Sequence, residues 1–179
     1  YIILQKERGH GPMLHLCSEK SESSLSEFTD DQVQPNAVDL RLDKIFKLGD
    51  KDFVIDENMK EHRGSDQLVP DQDGWFKLEV GTYEIIMEGV VTIGPSEAGF
   101  VITRSSLNRN GLFITSGLYD SGYSGVMAGA LHVNGGPAFI KRGTRVGQFL
   151  LFKAESLNQY AGSYGSGSLH DVQYEGAVN

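Results

Sequence analysis

Cysteine is nearly missing from this 179-residue sequence, where Cys17 stands alone. No internal disulfide can form and no multi-cysteine metal site exists, which fits a reducing compartment. Proline is scarce at five residues, and Trp75 is the single tryptophan. Basic residues are the minority charge: sixteen Lys and Arg against twenty-four Asp and Glu leave a net charge of −8. That balance argues against a broad nucleic-acid or anionic-membrane surface, yet leaves room for a small basic pocket around one phosphorylated ligand. No apolar run approaches the roughly 18 residues of a membrane span. Residues 1–5, followed by Lys6, Glu7 and Arg8, lack the apolar stretch of a signal peptide. The expectation is a cytoplasmic protein with neither nucleic acid nor membrane as partner.

Glycine is what the chain has in excess, 22 residues with no collagen-like period, so many tight turns are expected. Hydrophobic residues at 39% and charged residues at 22% are ordinary globular usage, and the length fits one domain. Residues 18–34 are mostly serine, acidic and amide, with Leu25 and Phe28 as their large apolar anchors, and read as a surface segment with one short helix. After Pro35, Val38, Leu40 and Leu42 alternate with Asp39, Arg41 and Asp43, the period of a half-buried strand. Residues 57–74 are polar and proline-punctuated and read as a loop long enough to be functional or mobile. From Trp75 onward the texture is continuously β-like. Short apolar runs at 76–80, 83–93, 100–103, 112–115, 126–133, 138–141 and 146–152 are separated or notched by glycines. Many short strands with regular turn signals predict an all-β fold, a distorted barrel or jelly roll. The organisation expected is a 1–34 N-terminal segment, a 35–157 barrel and a flexible 158–179 arm rich in glycine and serine around Tyr164.

Three constellations carry possible chemistry. In Thr103-Arg104-Ser105-Ser106-Leu107-Asn108-Arg109-Asn110-Gly111, a strand ends and two hydroxyls and two guanidiniums follow. Serines opening a turn free backbone N–H groups for an anion, and arginine adds a planar fork suited to phosphate oxygens; a serine-capped turn with solvated arginines is the plain structural alternative. In Gly117-Leu118-Tyr119-Asp120-Ser121-Gly122-Tyr123-Ser124-Gly125, a carboxylate lies three residues from an aromatic ring, an arrangement suited to a sugar hydroxyl and a flat packing surface. An Asp/Gly turn with a tyrosine on the barrel rim reads equally well. In Lys141-Arg142-Gly143-Thr144-Arg145-Val146-Gly147-Gln148-Phe149, a basic turn leads into an apolar strand whose internal amide, Gln148, needs partners if buried.

Taken in order, Val38-Asp39-Leu40-Arg41-Leu42, Arg104-Ser105-Ser106-Leu107, the 120–125 turn, the 143–152 strand and the Tyr/Gly/Ser tail resemble the superfamily of trimeric dUTPases and dCTP deaminases over residues 34–168. The Gln34-Pro35-Asn36-Ala37 approach and the long insert before Trp75 are closer to the deaminase branch. The resemblance implies a β-barrel-like homotrimer with sites between subunits, and magnesium accompanying a deoxynucleoside triphosphate. It implies that Arg104, Ser105 and Ser106 form the phosphate-binding turn, with Gln148 and a second arginine, Arg109, reaching the phosphates. Asp120 matches the aspartate that holds the 3′-hydroxyl and, in the diphosphatases, activates water. Tyr123 matches the aromatic that packs on the sugar, and Tyr164 lies in the arm that closes over a neighbouring subunit's site. No side chain is implied as a direct metal ligand, since the ion rides on the phosphates.

The strand Val126-Met127-Ala128-Gly129-Ala130-Leu131-His132-Val133-Asn134 holds no carboxylate, although the deaminases carry a glutamate there. Counting from Gly125 puts Ala130 at that place, and counting back from Asn134 puts Leu131 there. A bulge bringing His132 toward the site is the alternative source of a base. Water attack on the α-phosphorus asks for one positioned carboxylate, magnesium and donors, so the inventory favours a dUTP diphosphatase. A dCTP deaminase and a non-catalytic nucleotide-binding protein on the same scaffold are the alternatives. Ser163 replaces the lysine usual in deaminases, and Ser124 stands where diphosphatases often carry a basic or amide side chain.

Overall fold

The computed structural model describes residues 12–168 and 170–175. The first eleven residues of the 1–34 segment and the last four of the 158–179 arm lie outside these. In chain order the strands are β1 (Met13–Leu14), β2 (Ser24–Leu25), β3 (Val38–Leu48), β4 (Val54–Ile55), β5 (Lys60–Glu61), β6 (Ser65–Gln67), β7 (Trp75–Leu78), β8 (Gly81–Thr92), β9 (Glu97–Thr103), β10 (Leu112–Thr115), β11 (Ser124–Val133), β12 (Ala138–Lys141) and β13 (Arg145–Lys153). Helix among the described residues amounts to a 3-10 turn at Asp30–Gln32 and two single turns, α1 (Ser105–Asn108) and α2 (Val172–Glu175). No helix among them is long and apolar enough to cross a membrane.

The all-β expectation holds. Nine strands form one curled half-barrel sheet in the order β1-β13-β3-β8-β11-β10, with β9 on β13, β2 on β8 and β6 on β3. β7 and β12 make a separate ribbon, as do β4 and β5. The period-two pattern explains the sidedness: Leu40, Ile45, Ile85, Met127, Leu131 and Phe149 all point inward and are essentially sealed from solvent. β8 departs from simple alternation because Ile86, on its other face, is also buried, against Phe46 and Tyr174. Its unbroken apolar run in sequence is thus a strand covered on both sides, with the C-terminal segment as the second cover.

The surface segment 18–34, expected to hold one short helix, and the 57–74 loop both carry local order. Residues 18–34 contribute β2 and the 3-10 turn, and residues 57–74 contribute β5 and β6. The former segment is pinned by the fully buried Glu97, whose carboxylate accepts the Glu22 and Ser23 N–H groups and the Ser23 hydroxyl. Lys153 completes the set at 3.1 Å. The bulge expected in β11 is not there: where the register shifts between Val126 and Ala128, the extra residues are on β8, around Gly89. Gly89 takes φ +86 there, a conformation glycine adopts without steric cost. From Ala128 to Val133 the pairing then runs in register, leaving His132 opposite Thr82.

Candidate active site

Antiparallel register assembles the first group of polar side chains. Gln148 of β13 sits opposite Asp39 of β3 on one side and Ile102 of β9 on the other, while Arg104 follows directly after β9. Asp39 is wholly buried, and three cationic or amide groups converge on it. Arg104 Nε lies 3.2 Å and Arg145 Nη1 3.4 Å from Asp39 Oδ2, while Gln148 Nε2 donates to Oδ1 at 3.1 Å. Oδ2 receives no directed hydrogen bond, so its guanidinium contacts are charge contacts held off-axis. Arg104 also donates to the Arg145 carbonyl at 3.1 Å, and Arg145 to the Asp31 carbonyl at 2.6 Å. Two guanidiniums against one carboxylate leave this seat with a surplus positive charge, and both arginines are partly open to solvent.

Ser105 and Ser106 continue from Arg104 into α1, exposed, their hydroxyls without a partner among the described residues. Arg109, the residue that ends α1, is exposed and likewise unpaired there. The turn therefore keeps its donors unspent. Sequence marked Arg104, Ser105, Ser106, Arg109 and Gln148. Asp39 and Arg145 carry no such mark, because their convergence on one point follows from strand register.

The hairpin forms the second group. A turn closes where the Tyr123 N–H donates to the Asp120 carbonyl at 3.0 Å, with Gly122 at φ +85. Asp120 is exposed and its carboxylate has no partner among the described residues. Tyr123 is 5% exposed, its ring 5.1 Å from that of Tyr119 and 5.3 Å from that of Tyr160. Its hydroxyl donates to the Val126 carbonyl at 2.7 Å, and burial, with Asp171 and Tyr160 adding to it, raises its pKa above the usual phenol range. It is a fixed, neutral aromatic wall. Beside it opens a cavity of about 550 Å³, within the size of small-molecule sites, lined also by Glu84, Ala130, His170 and Tyr174.

The C-terminal segment encloses this cavity over its own chain. The Tyr160 N–H donates to the Ser121 carbonyl at 2.7 Å and the Ser166 N–H to the Ser124 carbonyl at 2.9 Å. Tyr164 carries Lys60 Nζ 4.9 Å above its ring, and the Tyr174 hydroxyl donates to Glu84 while Lys44 donates to the Tyr174 carbonyl. His132 lies outside the lining: its ring nitrogens face Thr82 Oγ1 at 3.3 Å and Thr115 Oγ1 at 3.0 Å. Nothing in the local pattern marks Glu84, a half-buried strand residue, whereas the loop carrying His62 stands out in sequence by its length.

Within one chain the two groups stay apart. Tyr119 pairs with Gly99 near one end of β9, and Arg104 follows the other end, five residues and roughly 16 Å along an extended strand. None of Arg104, Ser105, Ser106, Arg109 or Gln148 lines the hairpin cavity, and Asp120 lines a separate recess with Leu118, Ser121 and residues 154–161.

Comparison with known proteins shows the family. A family model described as dCTP deaminase-like matches residues 12–154. A Halobacterium salinarum protein named probable deoxyuridine 5′-triphosphate nucleotidohydrolase is 35% identical over 140 residues, covering 75% of this chain and 84% of its own length. A Methanopyrus kandleri protein of the same name is 30% identical over 141 residues, covering 76% and 89%. Among solved structures, the 2′-deoxycytidine 5′-triphosphate deaminase of Agrobacterium tumefaciens superposes with a TM-score of 0.55 at 21% identity, over 78% of this chain. The match spans 44% of that longer chain, and it is a likeness of fold alone.

Proposed function

Because the chain belongs to the dCTP deaminase-like family, we propose that it is a dUTP diphosphatase of the cytoplasm, converting dUTP and water to dUMP and pyrophosphate. The observation that carries this reading is the free Asp120 carboxylate on the turn beside the fixed Tyr123 wall. A carboxylate with no partner among the described residues is available to take a proton from water. In the proposed step, the water oxygen attacks the α-phosphorus while Asp120 accepts its proton. The bond to the bridging oxygen then breaks, and pyrophosphate leaves. Tyr123 packs on the deoxyribose, and Tyr164 covers the base. Arg104, Ser105, Ser106, Arg109 and Gln148 hold the phosphate chain and the charge that develops on it.

Since Asp120 and the phosphate seat lie apart on one chain, the reading requires that neighbouring copies supply the two halves, in a homotrimer. Magnesium belongs to the same reading. No group of three or more His, Cys, Asp or Glu among the described residues can cage an ion. The fit is therefore to an ion carried by the substrate's own phosphate oxygens, where it neutralises charge. The bare Ala130 wall is what favours hydrolysis over deamination here, because no carboxylate rises from that point of β11.

Chromatography of products from dUTP and dCTP tests the proposal. Magnesium-dependent dUMP and pyrophosphate from dUTP support it, and uracil products from dCTP overturn it. Asp120→Asn should keep the wild-type melting curve and lose about 100-fold or more in kcat, the scale of a general base.

A further inference from the structure

Four carboxylate or imidazole side chains line the cavity wall and take no part in the hydrolysis described above: His62, Glu84, His170 and Asp171. Asp171 is committed to the tail itself, accepting the Gly165 N–H at 2.9 Å and facing His170 Nδ1 at 3.3 Å. Glu84 alone among the four belongs to a barrel strand. It sits in β8 between Phe46 of β3 and Ala130 of β11, so the middle of the sheet fixes its position. Directly paired residues project from the same sheet face roughly 5 Å apart. Ala130 therefore offers only a methyl beside the Glu84 carboxylate, and Ala128 another two residues along.

The carboxylate is oriented from two sides. Oε1 accepts the Tyr174 hydroxyl, and Oε2 accepts the Ser65 hydroxyl at 3.2 Å. Each oxygen keeps a lone pair, and an ionised carboxylate has acceptors only. A ring resting on the alanine floor meets it favourably only by presenting an N–H.

We propose that Glu84 is a specificity-determining residue of this cavity, its carboxylate accepting the imide N3–H of a uracil ring; this rests on the reading that the cavity holds the base. Cytosine carries a bare lone pair at N3, so in the same pose it sets lone pair against carboxylate. The carbonyl oxygens flanking the uracil N3–H need donors. His62 and His170 line the same wall with ring centroids 4.8 Å apart, and their imidazoles are the donors proposed for these oxygens. Selection thus comes from a side chain on the neighbouring strand, at a place where β11 itself has no polar side chain to offer.

Calorimetric binding of dUMP and dCMP, beside dUTP turnover, tests this in wild type, Glu84→Gln and Tyr174→Phe. Glutamine puts an N–H donor where the carboxylate stood, so dCMP should bind about tenfold more tightly, the scale of one charge-assisted hydrogen bond. The preference for dUMP over dCMP should collapse with it. Tighter cytosine binding is a readout that loss of a merely structural interaction does not produce. Tyr174→Phe frees Glu84 from the tail but keeps the carboxylate, and should keep the wild-type preference. An unchanged preference in Glu84→Gln overturns the proposal, as does a Tyr174→Phe variant that reproduces the Glu84→Gln effect. Wild type that hydrolyses dUTP while Glu84→Gln leaves selection untouched overturns the Glu84 role alone. Wild type that neither binds dUMP nor hydrolyses dUTP overturns both that role and the reading it rests on.

Discussion

Asp39 anchors more of the proposed phosphate seat than any residue that touches solvent. Its buried carboxylate faces the guanidiniums of Arg104 and Arg145 and the amide of Gln148, and so fixes three groups contributed by one strand, β13, and the turn after β9. Removing it would set two like charges together over an apolar interior, and breaking a buried charge cluster from one side is costly. Asp39→Ala should lower unfolding stability by about 3 kcal/mol in urea titrations, and added pyrophosphate should recover part of the loss by standing in for the missing anion. Residue types at these positions are visible in sequence; which of them meet is not. Arg41 illustrates the point: its alternation partner Asp39 turns into the core, while Arg41 itself pairs with Asp31 at 2.6 Å near the surface. There the Thr29 hydroxyl and Arg41 hold the Asp31 carboxyl below its usual range.

At the scale of elements, Glu97 at the head of β9 ties residues 21–23 to the barrel and so gives the acidic N-terminal segment a fixed place. Burial by itself would raise its carboxyl. The Ser23 hydroxyl, the Glu22 N–H and the Lys153 ammonium outweigh that and hold its pKa below the usual glutamate value. A depressed folded-state pKa means the unfolded chain binds the proton more tightly. The stabilisation is therefore complete above the unfolded value near 4.5 and is lost as pH falls through the lowered folded value. Wild type should show this acid-side decline in thermal melts taken from pH 6 downward. Glu97→Gln should be less stable by about 2 kcal/mol at pH 7 and flatter across the same range. The strands themselves were legible, with boundaries shifted by a few residues, because alternation is written in neighbouring positions. The order within residues 18–34 and 57–74 was not, since two- and three-residue strands such as β2 and β6 exist only by pairing with β8 and β3.

For the whole molecule, the proposed reaction needs Asp120 and the Arg104 seat from different copies, as they stand at opposite ends of β9. Light scattering should report three copies per particle. Mixing Asp120→Asn with Arg104→Ala chains after partial unfolding should restore a measurable fraction of dUTP turnover, since some sites then combine an intact half from each parent. Two inactive parents that stay inactive after verified exchange would place both halves within one copy. Composition and local pattern by themselves determined a glycine-rich, all-β chain with an arginine-serine-serine turn, a lone aspartate beside a tyrosine, and a β11 strand without a carboxylate. Those are statements about residues a few positions apart, where the pleat decides which side chain points where. Only the tertiary structure decided that Asp39 gathers Arg104, Arg145 and Gln148, that Glu84 stands beside Ala130, and that the tail seals the cavity through Tyr174. Each of these depends on register between strands remote in sequence, and register is set by how the whole core packs.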